Sequence, residues 1–146
     1  MAVAQVFDNV FVWNLTTPVG AGQPNQLADV ELVRFGYHMM RVARDIDKAS
    51  PALRDALQGM RRAGGFDQDL DAVIRAHQQQ TKTPVDGKVS VAHITSANRG
   101  RYDSSHPWLI VRLNNFMRDF DRYPRIDLHP DSGFEISRVA ATLRNA

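Results

Sequence analysis

Arg99, Arg101 and Tyr102 crowd together in NRGRYDSSHPW (98–108), and Asp86 opens an Asp-Gly pair in TPVDGKVSVAH (83–93). A guanidinium fork grips a carboxylate through paired, charge-assisted hydrogen bonds, and a tyrosine ring can stack on a flat ligand face or anchor a protein partner. Asp86, Arg99, Arg101 and Tyr102 are therefore the candidate ligand-binding residues. A plainer reading stands beside this one. Asp-Gly after Pro84 makes a tight turn, because Gly tolerates positive φ and the Asp carboxylate accepts nearby backbone N–H groups. Arg99 and Arg101 can simply be solvated, with Trp108 the first core residue of a helix.

Other chemistries find less support. The five histidines, His38, His77, His93, His106 and His129, include no H-x-x-x-H or H-E-x-x-H pair, and there is no cysteine. No metal site and no cofactor is expected. His77 falls on an apolar stripe and reads as a satisfied, partly buried histidine. His93 and His106 bracket Asp103, Ser104 and Ser105, but no G-x-S-x-G elbow or S-x-x-K pair marks a nucleophile, and no pair of carboxylates is singled out for glycoside hydrolysis. No catalytic residue is assigned. The GAG of Gly20 to Gly22 lacks the following GK pair of a phosphate loop, so the loop is expected to cap a helix. With 18 Lys and Arg against 16 Asp and Glu, the net charge is +2, and the arginines scatter along the chain without a phosphate-tracking run. Nucleic acid is not an expected partner.

The 146 residues suit one domain, 1–146, with a core over 18–91 and a helical extension over 92–146. Val, Phe and Trp in Gln5 to Leu15 predict a short strand. After a Gly- and Pro-rich loop, Val30, Val33, Tyr37 and Met40 form the buried stripe of a helix reaching about Arg44. Gly36 within it predicts a close approach by another backbone. Ser50-Pro51 starts a second helix that Gly64-Gly65 stops. Leu70, Val73, Ile74 and His77 mark a third, from Asp67 to Gln80. One helical turn is expected at Val91 to Thr95. A fourth helix over 107–120, capped by Ser105 or His106, places Leu109, Leu113, Phe116 and Phe120 on one face. The tail suggests an extended Ile126-Asp127-Leu128 and a last helix from Glu135 to Leu143.

Two segments carry a family likeness. VGAGQPNQLADVELV resembles the VG-x-G loop, Asn and Asp-Val helix start of peptidoglycan-binding-like domains. LDAVIRAHQQQTKTPVDGKVS resembles their signature A-I-x-x-F-Q-x-x-x-G-x-x-V-D-G-x-V, matched by Ala72, Val73, Ile74, Ala76, Gln78, Val85, Asp86, Gly87 and Val89. The likeness spans Val19 to Val91. Departures are His77 for the usual Phe, Arg34 for Gln, Thr83 for Gly, AGGFDQDLD in place of a first D-G-x-x-G-x-x-T loop, and an inserted KASPALRDALQGMRRAGG. The resemblance implies a mainly α fold, a small helical bundle with a short N-terminal β element and extra C-terminal helices. It implies a non-catalytic peptidoglycan-binding module, or alternatively an adaptor or structural component of a phage-tail-like or contractile secretion system. Expected partners are peptidoglycan, whose stem-peptide carboxylates suit the arginines, or a protein of such an apparatus, with oligomeric state left open. MAVAQVFDNVFVW has no basic n-region or long apolar run. The chain is expected to be cytoplasmic as made, without membrane insertion, and to reach the periplasm or envelope through a dedicated secretion apparatus.

Overall fold

The computed structural model describes residues 2–7, 10–95, 98, 102 and 106–133. Val3–Phe7 (β1) and Val10–Asn14 (β2) pair antiparallel, with Val3 opposite Asn14 and Phe7 opposite Val10. Two strands form where the sequence predicted one, because Asp8-Asn9, residues of turn-forming type, divides the apolar run. The helices among the described residues are α1 (Leu27–Arg41), α2 (Pro51–Gly59), α3 (Gln68–Thr81) and α4 (Leu109–Met117). The fold is mainly helical with a short N-terminal antiparallel sheet.

Helix α1 is the axis of the molecule and is buried from Ala28 to Met40. Helix α4 lies against it and against β2, while α2 and α3 pack on each other. Gly36 marks the crossing of α1 and α4: a Cβ there would stand 2.8 Å from Leu113 Cβ. The close approach is made by the Leu113 side chain, where a backbone was expected. At the start of α1, Asp29 is fully buried and accepts hydrogen bonds from the N–H and hydroxyl groups of Thr16 and Thr17. That carboxylate ties the end of the hairpin to the helix N-terminus, where negative charge is favoured.

Side chains complete the hairpin's second edge. The Asn114 amide accepts from Trp13 N–H at 2.7 Å and donates to Trp13 C=O at 2.8 Å, as a neighbouring strand would. Arg118 and Tyr123 donate to the Phe11 carbonyl. On the other side of the sheet's end, Asn14 brackets Ala92 in the same way, with both contacts at 3.0 Å. This pairing holds Val91 to Thr95 outside any helix, correcting the expected helical turn. Ile126–Leu128 is a 3-10 turn where an extended segment was expected. Ile126 N–H reaches back to Pro124 C=O, and Arg125 clamps Asp127 across the turn.

Ser50 caps α2 by accepting from Leu53 N–H, as the sequence predicts, and Asp67, expected as the first residue of α3, instead caps it by accepting from Leu70 N–H. Helix α2 ends at Gly59, short of Gly64-Gly65, because Arg41 of α1 takes the carbonyls of Leu57 and Met60. Helix α1 itself stops at Arg41 and α4 at Met117, each three residues before its predicted end. The wholly buried Arg34 guanidinium donates to the carbonyls of Arg61, Gly64 and Gly65 and to the carboxylates of Asp67 and Asp69. Arg34 and AGGFDQDLD, two departures from the resembled pattern, are thus partners in one structure. The predicted C-terminal helix Glu135 to Leu143 lies outside the described residues.

Candidate functional site

The two segments that carry the resemblance meet in space. Val19 and Val89 form an antiparallel bridge, with N–H to C=O distances of 3.0 and 2.8 Å. Gly20 (φ 152°) fits beneath Gly87, whose carbonyl would stand 2.5 Å from any Cβ at position 20. Asn25 closes the first loop on itself: its Oδ1 accepts from Gly20 N–H and its Nδ2 donates to the carbonyls of Gly20 and Gln23. With these groups satisfied internally, the loop braces the second segment; the expected helix cap is not made by a side chain, since Gln26 at the N-cap of α1 forms no capping hydrogen bond.

Gln78, on the last turns of α3, organises the Asp-Gly turn. Its Nε2 donates to Asp86 Oδ1 (2.8 Å) and Lys88 C=O (3.0 Å), and its Oε1 accepts from Gly87 N–H (2.9 Å). Lys88 N–H also donates to Asp86 Oδ1. Burial alone would raise the Asp86 pKa, but the hydrogen bonds from Lys88 N–H and the Gln78 amide outweigh it and hold the carboxyl below its ordinary range. Asp86 Oδ1 is thus spent on closing the turn. Gln78 is one of the matched positions of the resembling segment, which is the signal the sequence offers for it; its bonds to the turn are seen only in the fold.

Beside this turn runs a groove. One part, about 430 Å³, is lined by Thr16, Pro18, Lys88, Ser90, Val91, His93 and Trp108. The adjoining part, about 140 Å³, is lined by Gln78, Thr83, Pro84, Asp86, Lys88, Ser90, Pro107, Trp108 and Leu109. Lys88, Ser90 and Trp108 belong to both. Trp108 is half-buried just before α4; its indole N–H donates to His93 C=O at 3.0 Å, and the His93 ring meets it edge-on. Its backbone N–H donates to His106 Nδ1, but α4 begins at Leu109 with Trp108 at the N-cap and no side-chain cap, so His106 lies two residues ahead of the cap and the expected capping by Ser105 or His106 is corrected. A pinned aromatic face flanked by hydroxyl, ammonium and carboxylate groups suits a polar ligand with flat apolar patches, such as a sugar chain.

Asp86 lines this groove and Tyr102 does not. The Tyr102 ring lies between Phe7 and His106, stacked on both, and its carbonyl accepts from Arg118. It packs the hairpin against the region before α4. Arg99 and Arg101 lie outside the described residues, as do Asp103, Ser104, Ser105 and any constellation they would form with His93. A cleft of about 640 Å³ lies elsewhere, between the C-terminal end of α1 and α4, and is lined by Met39, Val42, Ala43, Arg44, Asp45, Asn115, Phe116 and Asp119. It contains none of the residues singled out by type and spacing.

His38 ties two elements together. Arg41 Nη2 donates to His38 Nδ1 at 2.8 Å, so the ring proton sits on Nε2, which donates to Asp131 at 3.0 Å. Burial, then the Arg41 charge, depress the His38 pKa, and with both nitrogens engaged the ring has no site for proton transfer. Asp131 also binds Arg62, so the cluster clasps the C-terminal part of the described chain to α1. Among the described residues no group of three His, Asp or Glu is arranged to hold a metal ion. No described helix is long and apolar enough to cross a membrane.

Comparison with protein-family models, curated proteins and solved structures finds no match to this chain.

Proposed function

We propose that this chain is a non-catalytic module that binds peptidoglycan through the groove between the Asp-Gly turn and Trp108. The observation that carries the reading is the convergence of the two resembling segments at the Val19 to Val89 bridge, with Gln78 ordering the turn and a pinned tryptophan beside it. Trp108 offers the stacking face, while Ser90, Thr83 and Lys88 offer hydrogen bonds and charge to sugar hydroxyls and stem-peptide carboxylates. Arg99 and Arg101 would extend the carboxylate contacts. Such a role requires delivery to the envelope, for which a dedicated secretion apparatus is the proposed route. Sedimentation with purified sacculi tests the reading: failure to pellet at low salt sinks it.

One observation favours a second reading, a protein-interaction module of a phage-tail-like or contractile secretion apparatus. Main-chain groups of Phe11 and Trp13 point to α4, so those of their cross-strand partners Val6 and Ala4 point outward from β1. That edge is uncharged, and Val3, Val6 and Phe11 are exposed beside it. A neutral, apolar edge, unpaired among the described residues, is what strand addition uses. Replacing Val6 with Lys should abolish capture of a strand-adding partner while leaving the fold intact. Unchanged capture by that variant removes the support.

A further inference from the structure

Helices α1, α3 and α4 and the 3-10 turn Ile46–Lys48 enclose a cavity of about 230 Å³, separate from the groove at Trp108. It shares no lining residue with that groove, so a ligand held in the cavity is independent of peptidoglycan binding in the groove. Its wall includes His77, which is 4% exposed. The ring's Nδ1 faces the Tyr37 hydroxyl at 2.9 Å. Tyr37 is completely buried, and this is the only hydrogen bond of its hydroxyl among the described residues. A buried phenol proton without an acceptor is costly, so the hydroxyl donates to Nδ1 and the imidazole proton resides on Nε2. That Nε2–H has no acceptor among the described residues. Because the Nδ1 edge is turned to Tyr37, the Nε2 edge is the one presented to the cavity.

The rest of the lining selects what could accept that proton. Among the described lining residues Arg112 and Lys48 bring positive charge and Asp45, which is exposed, brings negative charge. The Arg112 Nε donates to the His106 carbonyl, fixing the plane of the guanidinium. Met40, Leu53 and Phe116 supply an apolar wall. The volume of about 230 Å³ holds roughly seven or eight water-sized groups, below the usual range for drug-sized ligands. A small anion with an apolar body fits this combination better than a sugar or a bare inorganic ion.

We propose that this cavity binds a small organic monocarboxylate, with its carboxylate on His77 Nε2–H and Arg112 and its apolar body against Met40, Leu53 and Phe116. Isovalerate is a suitable probe, and isovaleramide, of the same shape without the charge, is its control. Imidazole nitrogen spectra of the ¹⁵N-labelled chain assign the tautomer of His77, and its side-chain resonances are followed during titration with each compound. The expected result is an Nε2–H tautomer, saturable shifts at His77 and Arg112 with isovalerate, and at least tenfold weaker binding of isovaleramide. His77→Gln and Arg112→Gln, checked for native spectral dispersion, should each weaken isovalerate at least tenfold. An Nδ1–H tautomer, equal binding of the two compounds, or no saturable shift with isovalerate overturns the proposal. The tautomer and the paired titration are read on the unaltered protein, so the test stands even where a variant fails to fold.

Discussion

Acid should destabilise this protein largely through His77. Burial, with a smaller contribution from the Arg112 charge, lowers its pKa from 6.5 to about 4. The folded value lies below the unfolded one, so the unfolded chain takes up the proton first. The stability associated with neutral His77 is complete above about pH 6.5 and is lost as the pH falls through about 4. At 1.36 kcal/mol per pH unit the gap amounts to about 3 kcal/mol in total, of which about 2 kcal/mol is lost between pH 7.5 and 5.0. Two kilocalories is a large share of the ~5–15 kcal/mol that holds a domain folded. The assay is urea unfolding at pH 7.5, 6.0 and 5.0 for the unaltered chain and His77→Gln. Gln is uncharged throughout and can still offer an acceptor to Tyr37. The variant starts from a lower stability at pH 7.5, so the quantity compared is each protein's change with pH. His38, also depressed, contributes equally to both and cancels. The unaltered chain should lose about 2 kcal/mol more than the variant on going to pH 5.0; parallel pH profiles would refute the assignment.

The packing yields three further expected outcomes. Asn114→Ala removes both hydrogen bonds at Trp13 and the one to Tyr123, and should cost about 2–3 kcal/mol in chemical denaturation, with a change in Trp fluorescence. Arg34→Met leaves carbonyls and carboxylates of the segment 61–69 without their shared donor, and should cost about 3 kcal/mol or more, with proteolytic cutting first in that segment. Gly36→Ala gains helix propensity of about 1 kcal/mol but drives a methyl group into Leu113. The crossing of α1 and α4 cannot widen without disturbing both, so a net loss of about 1–2 kcal/mol in thermal or urea unfolding is expected.

What could be read from sequence was local. The stripe of Leu70, Val73, Ile74 and His77 and the cap signal Ser50-Pro51 placed α3 and α2 to within a residue or two at their starts, because periodicity and capping are encoded over a few positions. Features created by residues distant in the chain were not legible. Asn14 and Asn114 each supply strand-like hydrogen bonds to a segment about eighty or a hundred positions away, and neither residue type announces such a partner. The same holds for Arg41 ending α2 and for Arg34 shaping the loop that replaces the resembled one. The turn-closing geometry of Asp86 follows from the Asp-Gly pair itself. Gln78 and Trp108 became visible as its neighbours only through the tertiary fold, and Tyr102, chosen for its type, stacks inside the hairpin contact.

The central claim is that the groove at Trp108 binds wall polymer. Purified protein should be mixed with insoluble peptidoglycan and pelleted, comparing the unaltered chain with Trp108→Ala and with the Arg99→Ala/Arg101→Ala double variant, each confirmed as folded. Saturable pelleting of the unaltered chain, reduced about tenfold or more by Trp108→Ala and weakened by the double variant, is the predicted result. No pelleting at low salt, or pelleting that Trp108→Ala leaves unchanged, would contradict it.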